Sequence, residues 1–596
     1  MNTLKQALRT FSRYPVILMV IIIGAAVLRL THLASMPPSP YWEEAALGYD
    51  AYSILHTGKD HHGASFPLVA FESFGDWKPS GYFYTLVPFI AVFGLSVLAV
   101  RLPTALSGIA LVYIVSQLAL LVGKKIYQKN TQQSAEQLSL VAAVVTALSP
   151  WSLMISRGSW EVSLATTLLT LAGWQAWKAT DLTLATVASK KMSMVHWLIA
   201  SLAFVGAVYT YHASRITAPL LLMGIGFGWL LQRDLLGGAK SISTVLHAVW
   251  QKMLLVLPGI LLIAVLCLPF YAAIGSEQLG KRFQETSIFS DSTIIERSNA
   301  MRALGNGNVV VNLAYHRFVL FGGDVLRRFS QHLSLDYLFI SGDENARHSV
   351  PFFGQLYHFE LLFVLFGVVV AVKNGKKLGI PLWWLVVGIL PASVTFATPH
   401  ALRSFASAPI LFILVAVGVL EFVQQATQVR VPLLTISRRL RKFLVVGLVI
   451  VGYLFEFLWF SRVYWSAYPK LFSQEWQYGY EQMVATVVAL EEANPQLPVY
   501  ITRQQGRPAM YYWFYTKADP RSVQAANVTS KKDQGELLTY KNKEFIGSES
   551  ELPTAAAIVA LSEEGAKTVA GRLTNPHPVV DDTGRVVWVV GILTAL

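Results

Sequence analysis

Apolar runs of bilayer-spanning length recur along this chain and constrain its fold more than any other feature. They fall at about 14–34, 103–122, 138–156, 161–178, 194–212, 216–232, 253–275, 356–373, 380–397, 404–424 and 443–461. A transmembrane helix needs about 20 mainly apolar residues, so the pattern predicts about 11 transmembrane helices. Only 14% of the 596 residues are charged, whereas a soluble domain has about 25% charged residues. The sequence therefore predicts a polytopic membrane protein.

The positive charges of alternate loops predict the orientation of these spans, because cytoplasmic loops carry an excess of lysine and arginine. With the N-terminus in the cytoplasm, every second loop is basic and nearly free of acids. These loops contain Lys124, Lys125, Lys129, Lys178, Lys190, Lys191, Arg233, Lys240, Lys252, Lys373, Lys376, Lys377, Arg430, Arg438, Arg439, Arg441 and Lys442. Counting the short apolar segment 81–96 as a span would invert this pattern, so it is predicted to be a helix at the outer interface.

Three regions lie on the outer side in this arrangement: residues 35–102, 276–355 and 462–596. In the last one, "LPVYITRQQGRPAMYYWFYTKADP" predicts a strand, a turn and an aromatic helix, and "AAAIVALSEEGAKTVAGRL" predicts a helix before a final strand "RVVWVVGIL". The predicted architecture is an all-α transmembrane body over residues 1–461, followed by a small extracytoplasmic α/β domain over residues 462–596.

Two adjacent carboxylates, Glu43 and Glu44, stand in the first outer region, in "YWEEAALGYDAYSILHTGKD". Such a pair is suited to act as a general base or to bind a metal, and it is equally explained as solvated loop charge. The same region contains Glu72, Asp76 and Lys78. Lys78 precedes a proline, which favours an extended backbone. Its side chain is predicted either to snorkel at the interface or to bind a lipid phosphate.

Further cations collect at the outer ends of the predicted spans, where bases are normally depleted. They are Arg157, Arg215, His400 and Arg403. Each one alone is explained by pairing with a loop acid such as Glu161 or with a lipid headgroup. Together they indicate a site for an anionic ligand at the outer leaflet.

Several longer motifs follow one another in a fixed order. "YWEEAALGYDAYSILHTGKDHHG" precedes "FGDWKPSGYFY" and "AVRLPTALSGIA", and further on come "SPWSLMISRGSWEVSLA", "SIFSDSTIIERSNAMRAL", "GDENARHSVPFFGQLYHFELLF" and "PASVTFATPHALRSFASAP". In this order they resemble bacterial family 39 glycosyltransferases, relatives of the protein O-mannosyltransferases and the lipid A aminoarabinose transferase. The resemblance covers most of the membrane body. It implies the C-type glycosyltransferase fold in the cytoplasmic (inner) membrane, with the N-terminus inside and the C-terminal domain outside.

The resemblance implies transfer of a sugar from a polyprenyl-phosphate carrier to an acceptor at the outer face, with a first-loop carboxylate as base and with inversion of the sugar. The family usually has Asp-Glu after the tryptophan, and here Glu43 stands at the aspartate position. Either the backbone accommodates the longer side chain, or this member is weak or uses a different acceptor. Glu44 is expected to orient the loop or the sugar hydroxyls. The residues expected at the donor phosphate are Lys78, which matches the family's lysine, and Arg157, Arg215 and Arg403.

The remaining predicted site residues lie close to the acids, to Lys78 or to the outer cations in the sequence. They are Trp42, Tyr49, Asp50, Asp60, Asp76, Trp77, Tyr82 and His400, and they are predicted to bind substrate. No cofactor is expected, because lysine and arginine can neutralise the phosphate. A divalent metal held by Asp60, His61 and His62 is the alternative.

The expected partners are a polyprenyl-phosphate sugar donor, membrane lipids and an acceptor that is a protein, a lipid or a glycan. Nucleic acid is not expected despite the net charge of +13, because the basic residues sort to cytoplasmic loops. The alternative function is a transporter or flippase of a lipid-linked or anionic solute. Such a protein would place its ionisable groups in broken helices near the membrane midplane, whereas here the acids lie in a loop.

Overall fold

A computed structural model describes residues 13–127, 131–182, 186–230, 242–428 and 437–596. Lys129, Arg233, Lys240 and Arg430, which contribute to the predicted orientation, lie outside the described residues, as do residues 1–12. The first part of the chain forms α1 (Arg13–Leu30), α2 (Trp42–Thr57), β1 (Ala70–Ser73), β2 (Asp76–Pro79), α3 (Ser80–Phe93), α4 (Val97–Ile126), α5 (Thr131–Leu148), α6 (Pro150–Ile155), α7 (Glu161–Asp181), α8 (Val187–Thr210), α9 (Ser214–Leu230), α10 (Ile242–Leu266) and α11 (Leu268–Ala272).

Residues 276–355, which the sequence predicts to form the second outer loop, are themselves largely helical and precede the last helices of the body. It forms α12 (Glu277–Thr286), α13 (Ser292–Leu304), α14 (Val309–Ala314) and α15 (Arg317–Gln331). The body then continues with α16 (Glu360–Lys373), α17 (Gly375–Ser393), α18 (Ala401–Ser404), α19 (Ala408–Gln428), α20 (Arg438–Arg462) and α21 (Tyr468–Leu471).

Each of the predicted apolar runs overlaps one or two helices of the body. By length and composition alone, six helical segments among the described residues are long and apolar enough to cross a membrane: Arg13–Leu30, Val97–Ile126, Val187–Thr210, Val249–Leu266, Ala401–Gln428 and Arg438–Leu471. The chain is thus a multi-pass membrane protein, while the number of about 11 spans stays a prediction. Helix α3 overlaps the segment 81–96, has 14 residues and is too short to cross a bilayer in the usual way.

The C-terminal region folds around one mixed sheet. It contains α22 (Tyr480–Ala493), β3 (Val499–Thr502), α23 (Pro508–Thr516), α24 (Pro520–Thr529), β4 (Lys532–Asp533), β5 (Glu536–Leu537), β6 (Thr539–Tyr540), β7 (Lys543–Ile546), β8 (Ala557–Leu561), α25 (Glu563–Thr568), β9 (Leu573–Val580) and β10 (Val586–Leu593). The strand order is β6-β7-β3-β8-β10-β9, with β3 parallel to β7 and β8. The predicted strand and aromatic helix correspond to β3 and α23.

One element of this region was predicted wrongly. The segment "AAAIVALSEEGAKTVAGRL" was expected to be a single helix, but Ala557–Leu561 is a strand and the helix covers only Glu563–Thr568. All five residues of the strand are buried, between β3 and β10. A short, continuous apolar run fits a buried helix and a central strand equally well, so periodicity alone does not separate them.

The C-terminal domain packs directly on the first outer region of the body. One hydrophobic cluster combines buried residues of α2 and α3 with residues of α22, α23 and the sheet. Tyr49 Oη donates to the Ala518 carbonyl over 2.9 Å, and Tyr511 Oη donates to the Pro40 carbonyl over 2.7 Å. The domain therefore supports the segment that carries the two adjacent glutamates.

Helices α16 and α19 approach each other through two glycines. A Cβ atom on Gly418 would lie 1.7 Å from the Phe363 carbonyl oxygen, and one on Gly367 would lie 2.2 Å from the Leu414 carbonyl oxygen. Because the obstructing atoms belong to the backbone, a side chain at either position would force the two helices apart.

We therefore expect Gly418→Ala to destabilise the protein by about 1–3 kcal/mol, as is usual for overpacked cores. The measurement is thermal unfolding in detergent, followed by intrinsic fluorescence. Gly24→Ala in α1 is the matched control, because nothing lies within 4 Å of its added Cβ atom. An unfolding temperature of Gly418→Ala equal to that of the control would contradict the close approach of the two helices.

Candidate active site

The centre of the site is an ion pair between Glu43 and Lys78. Helix α2 begins at Trp42, so Glu43 lies in its first turn, where the helix dipole favours a negative charge. Strand β2 brings Lys78 Nζ to 3.0 Å from Glu43 Oε2. The Lys78 side chain is 10% exposed, whereas the Glu43 side chain is 32% exposed. The pair thus presents a reachable carboxylate over a buried ammonium group.

Lys78 Nζ has one close polar partner among the described residues, Glu43 Oε2 at 3.0 Å. It is shielded from solvent and makes no further hydrogen bond within the described parts of the chain. A buried ammonium group normally uses its three N–H donors. Lys78 therefore retains donors for a further anionic group.

Two arginines from the second outer loop add positive charge around Glu43. Arg282 of α12 pairs with Asp76 of β2, and the Arg347 guanidinium lies 3.9 Å from the centre of the Tyr41 ring. Burial tends to raise the pKa of Glu43, but the charges of Lys78, Arg282 and Arg347 outweigh it and hold that pKa below its usual value. Glu43 is therefore ionised at neutral pH.

The Glu44 carboxylate accepts hydrogen bonds from neighbouring groups of the protein. Arg101 donates from Nε to Glu44 Oε1 over 3.0 Å and from Nη2 to Oε2 over 2.8 Å. The backbone N–H groups of Tyr41 and Ser159 donate to the same carboxylate over 3.0 and 2.7 Å. These four bonds fill the acceptor capacity of a carboxylate. Glu44 holds the chain in place, and Arg101, which the sequence analysis did not identify, is its partner.

The three arginines predicted at the donor phosphate lie in different surroundings. Arg157 is buried and donates to the Leu28, Thr31 and Met36 carbonyls, and its guanidinium lies 4.5 Å from the centre of the Trp465 ring. Its donors are therefore used to fix the end of α1.

Arg215 and Arg403 keep more of their donors. Arg215 Nη1 donates to His212 Nδ1 over 3.2 Å, while its Nε and Nη2 have no hydrogen-bond partner in the described parts of the chain. The His212 ring in turn contacts the Trp77 carbonyl over 2.8 Å, one residue before Lys78. Arg403 donates from Nη1 to Thr395 Oγ1 over 2.9 Å.

Several residues predicted to bind substrate are buried away from Glu43. Tyr49 and Tyr82 are fully buried, and the Tyr82 hydroxyl donates to the Val100 carbonyl over 2.9 Å. Trp42 and Trp77 are partly exposed and flank the pair at the start of α2 and on β2. Asp76 lies on β2, two residues before Lys78, and pairs with Arg282.

The residues considered for a metal in the first outer loop do not converge. Asp50 Oδ1 lies 2.6 Å from His61 Nδ1, so this pair is a buried acid–imidazole contact. Asp60 accepts a hydrogen bond from Ala64 N over 2.8 Å, and His62 Nδ1 contacts Asn527 of α24 over 3.1 Å. Burial and the neighbouring Asp50 carboxylate raise the pKa of Asp60 to about 6.

His400 belongs to a separate cluster with Asp343 and His348, which the sequence analysis did not identify. His348 Nδ1 lies 3.1 Å and His400 Nδ1 lies 3.8 Å from Asp343 Oδ2. Burial, reinforced by the charge of Arg403, holds the pKa of His400 well below its usual value. His400 is therefore a neutral imidazole at physiological pH.

No model of a known protein family matches the sequence, and no curated protein matches it. Among solved structures, ArnT from Cupriavidus metallidurans bound to undecaprenyl phosphate has 12% sequence identity and a TM-score of 0.48, over 96% of this chain and 97% of that chain. An oligosaccharyltransferase from Archaeoglobus fulgidus tethered with an acceptor peptide has 12% identity and a TM-score of 0.48, over 97% and 74% of the two chains. Membership of family 39 stays a prediction.

The contrast between the two adjacent glutamates gives a stability prediction. Glu44→Gln leaves the fully buried Arg101 without its counterion, and breaking a buried ion pair on one side costs about 3–5 kcal/mol. Glu43→Gln also removes the counterion of the buried Lys78, but it should cost less, because the Glu43 side chain is partly exposed and the Glu161 carboxylate also acts on Lys78. Thermal unfolding of both variants in one detergent tests this expectation, and equal losses of stability would contradict the assignment of Glu44 as a structural residue.

Proposed function

We propose that this protein is an integral-membrane glycosyltransferase. It moves a sugar from a polyprenyl-phosphate-linked donor to an acceptor at the outer face of the cytoplasmic membrane. The observation that carries this proposal is the ionised, reachable carboxylate of Glu43 beside a buried lysine with free donors and two further cations. Transfer from a lipid phosphate needs these two functions together: a base for the incoming nucleophile and fixed positive charge for the leaving group.

The proposed reaction is a single displacement at the anomeric carbon. The acceptor oxygen forms a bond to this carbon while its proton passes to Glu43. The bond between the anomeric carbon and the phosphate oxygen breaks on the opposite face, and the electron pair stays with the polyprenyl phosphate. Attack from the face opposite to the leaving group inverts the anomeric configuration.

Lys78 has a double role in this proposal. In the free enzyme it pairs with Glu43 and helps to lower the pKa of that carboxylate, which makes Glu43 a weak base. A donor phosphate can use the unfilled N–H donors of Lys78. Once Lys78 binds the phosphate, its charge is shared between the phosphate and the Glu43 carboxylate. The pKa of Glu43 then rises, and the carboxylate becomes a stronger base.

Arg282 is proposed as the second cation at the phosphate, because it is ion-paired with Asp76 next to Lys78 and its charge reaches Glu43. Arg215 joins this group through its unfilled donors and through His212, which contacts the backbone beside Lys78. Arg157 spends its donors on backbone carbonyls and is proposed to hold the outer end of α1 instead.

One prediction of the proposed function concerns the base. Glu43→Gln should lower transfer by about 100- to 10,000-fold, the usual contribution of a positioned base, while donor binding is kept. The measurement is release of free polyprenyl phosphate by purified protein from a panel of polyprenyl-phosphate sugars, with crude cell envelope as acceptor. Glu277→Gln is the control, because Glu277 is an exposed glutamate of the second outer loop and should leave release unchanged.

Wild-type release rates in folded Glu43→Gln would remove Glu43 from the reaction. Absence of release by the folded wild-type protein from every donor of the panel would contradict the transferase itself. Movement of the same donors across vesicles containing the protein would then support the transporter alternative.

The second prediction concerns the leaving group. Hydrogen bonds to charged groups contribute about 1.5–3 kcal/mol, so Lys78→Ala and Arg282→Ala should each weaken binding of polyprenyl phosphate by about 10- to 150-fold. Displacement of a fluorescent polyprenyl phosphate measures this affinity. Arg297→Ala is the matched control, because Arg297 is an exposed arginine of α13 in the same outer loop. Unchanged affinity in both variants would contradict the proposed phosphate site.

A further inference from the structure

Asp343, His348 and His400 form a cluster of ligating side chains apart from Glu43 and Lys78. One nitrogen of each histidine and one carboxylate oxygen lie within 4.8 Å of one another. In the parts of the chain that the structure describes, this is the single group of three or more such side chains with that geometry. Asp343 and His348 belong to the end of the second outer loop, and His400 directly precedes α18. The cluster therefore joins two segments that are far apart in sequence.

The distances suit a tetrahedral metal ion. Zinc binds imidazole nitrogen and carboxylate oxygen at about 2.0–2.2 Å, so neighbouring tetrahedral ligand atoms stand about 3.4 Å apart. The separations from Asp343 Oδ2 are 3.1 Å to His348 Nδ1 and 3.8 Å to His400 Nδ1, which bracket this value. Two imidazoles and one carboxylate are also a ligand set found at zinc sites in proteins.

One ring nitrogen of His400 lacks a hydrogen-bond partner. Its Nδ1 is shielded from solvent and has no hydrogen-bond partner among the described residues, and 3.8 Å is too long for a hydrogen bond to Asp343. A buried polar atom without a partner is costly. The His400 ring is stacked on His348, with 5.0 Å between the centroids. Its Nδ1 atom is shielded from solvent and lies 3.8 Å from the carboxylate that both rings share.

The surroundings hold the carboxylate in position, as outer contacts do at metal sites. Ala401 N donates to Asp343 Oδ2 over 2.7 Å, and Asn345 N donates to Asp343 Oδ1 over 2.9 Å. The Asp343 N–H group donates to Ser349 Oγ over 2.8 Å. The Asp343 side chain is therefore fixed from both connected segments before any ligand binds.

We propose that Asp343, His348 and His400 bind one divalent transition metal ion, for which zinc is the best match. The ion would tie the second outer loop to the start of α18. Its effect on the transfer site would be indirect: Arg347, the residue before His348, lies over Tyr41 and contributes to the charge around Glu43. In this way the ion would fix the loop that carries Arg347.

The test is a zinc titration of the purified full-length protein after treatment with a chelator, in competition with a chromogenic zinc chelator. We expect stoichiometric binding of one ion by the wild-type protein. His348→Ala and His400→Ala should each weaken zinc binding by at least about 100-fold, since even loss of an outer contact costs about 10–100-fold. His358→Ala is the matched control, because His358 pairs with Glu456 outside the cluster, and its zinc affinity should equal that of wild type.

Thermal unfolding gives a second readout that does not depend on transfer activity. Zinc should raise the unfolding temperature of the wild-type protein and of His358→Ala, because a ligand that binds only the folded state stabilises it. It should not stabilise His348→Ala or His400→Ala. Absence of zinc binding by the folded wild-type protein, or wild-type affinity in folded His400→Ala and His348→Ala, would overturn the proposal and leave the proposed transferase untouched.

Discussion

The buried ion pair of Arg101 with Glu44 is the contact on which the candidate active site depends. Besides its two bonds to Glu44, Arg101 donates to the Leu33, Pro37 and Ser39 carbonyls over 3.2, 2.8 and 2.7 Å. The guanidinium thereby holds the whole connection from α1 to α2 against the start of α4. A buried ion pair is tolerated only when its remaining polar groups are satisfied, and here they are. The first turn of α2 is fixed in this way, and with it the position of Glu43.

The two glutamates consequently have opposite roles, although they are neighbours in sequence. Glu44 points inward and has all its acceptor sites filled, while Glu43 points to the cationic side formed by Lys78, Arg282 and Arg347. The longer side chain of glutamate, compared with the aspartate usual in the resembling family, reaches Lys78 at 3.0 Å. In the free protein the backbone thus places Glu43 within ion-pair distance of Lys78.

The sequence predicted the helical body and the acids with Lys78 because these features are local: apolar length, loop charge and residue type. It did not predict Arg282 and Arg347 at Glu43, since they follow more than 200 residues later and reach it only through tertiary packing.

Nearness to the acids in sequence did not predict which side chains face the site: Tyr49 and Tyr82 lie near the acids in sequence but are buried against the C-terminal domain and α4. Likewise, arginine is a common phosphate ligand, but Arg157 donates its hydrogen bonds to backbone carbonyls. The strand at Ala557–Leu561 was missed because its apolar run has no distinctive period.

The most direct test of the account is the pH dependence of polyprenyl phosphate release by the purified protein, measured as both kcat/KM and kcat. The first reports the base in the free enzyme, and the second reports it in the complex with donor. Because the cations lower the pKa of Glu43 in the free enzyme, kcat/KM should fall only below the ordinary range for glutamate as the pH decreases. In the complex the donor phosphate binds Lys78, so the acid limb of kcat should lie at higher pH than that of kcat/KM. Coincident acid limbs, or an acid limb of kcat at lower pH than that of kcat/KM, would contradict the exchange of Lys78 between Glu43 and the phosphate.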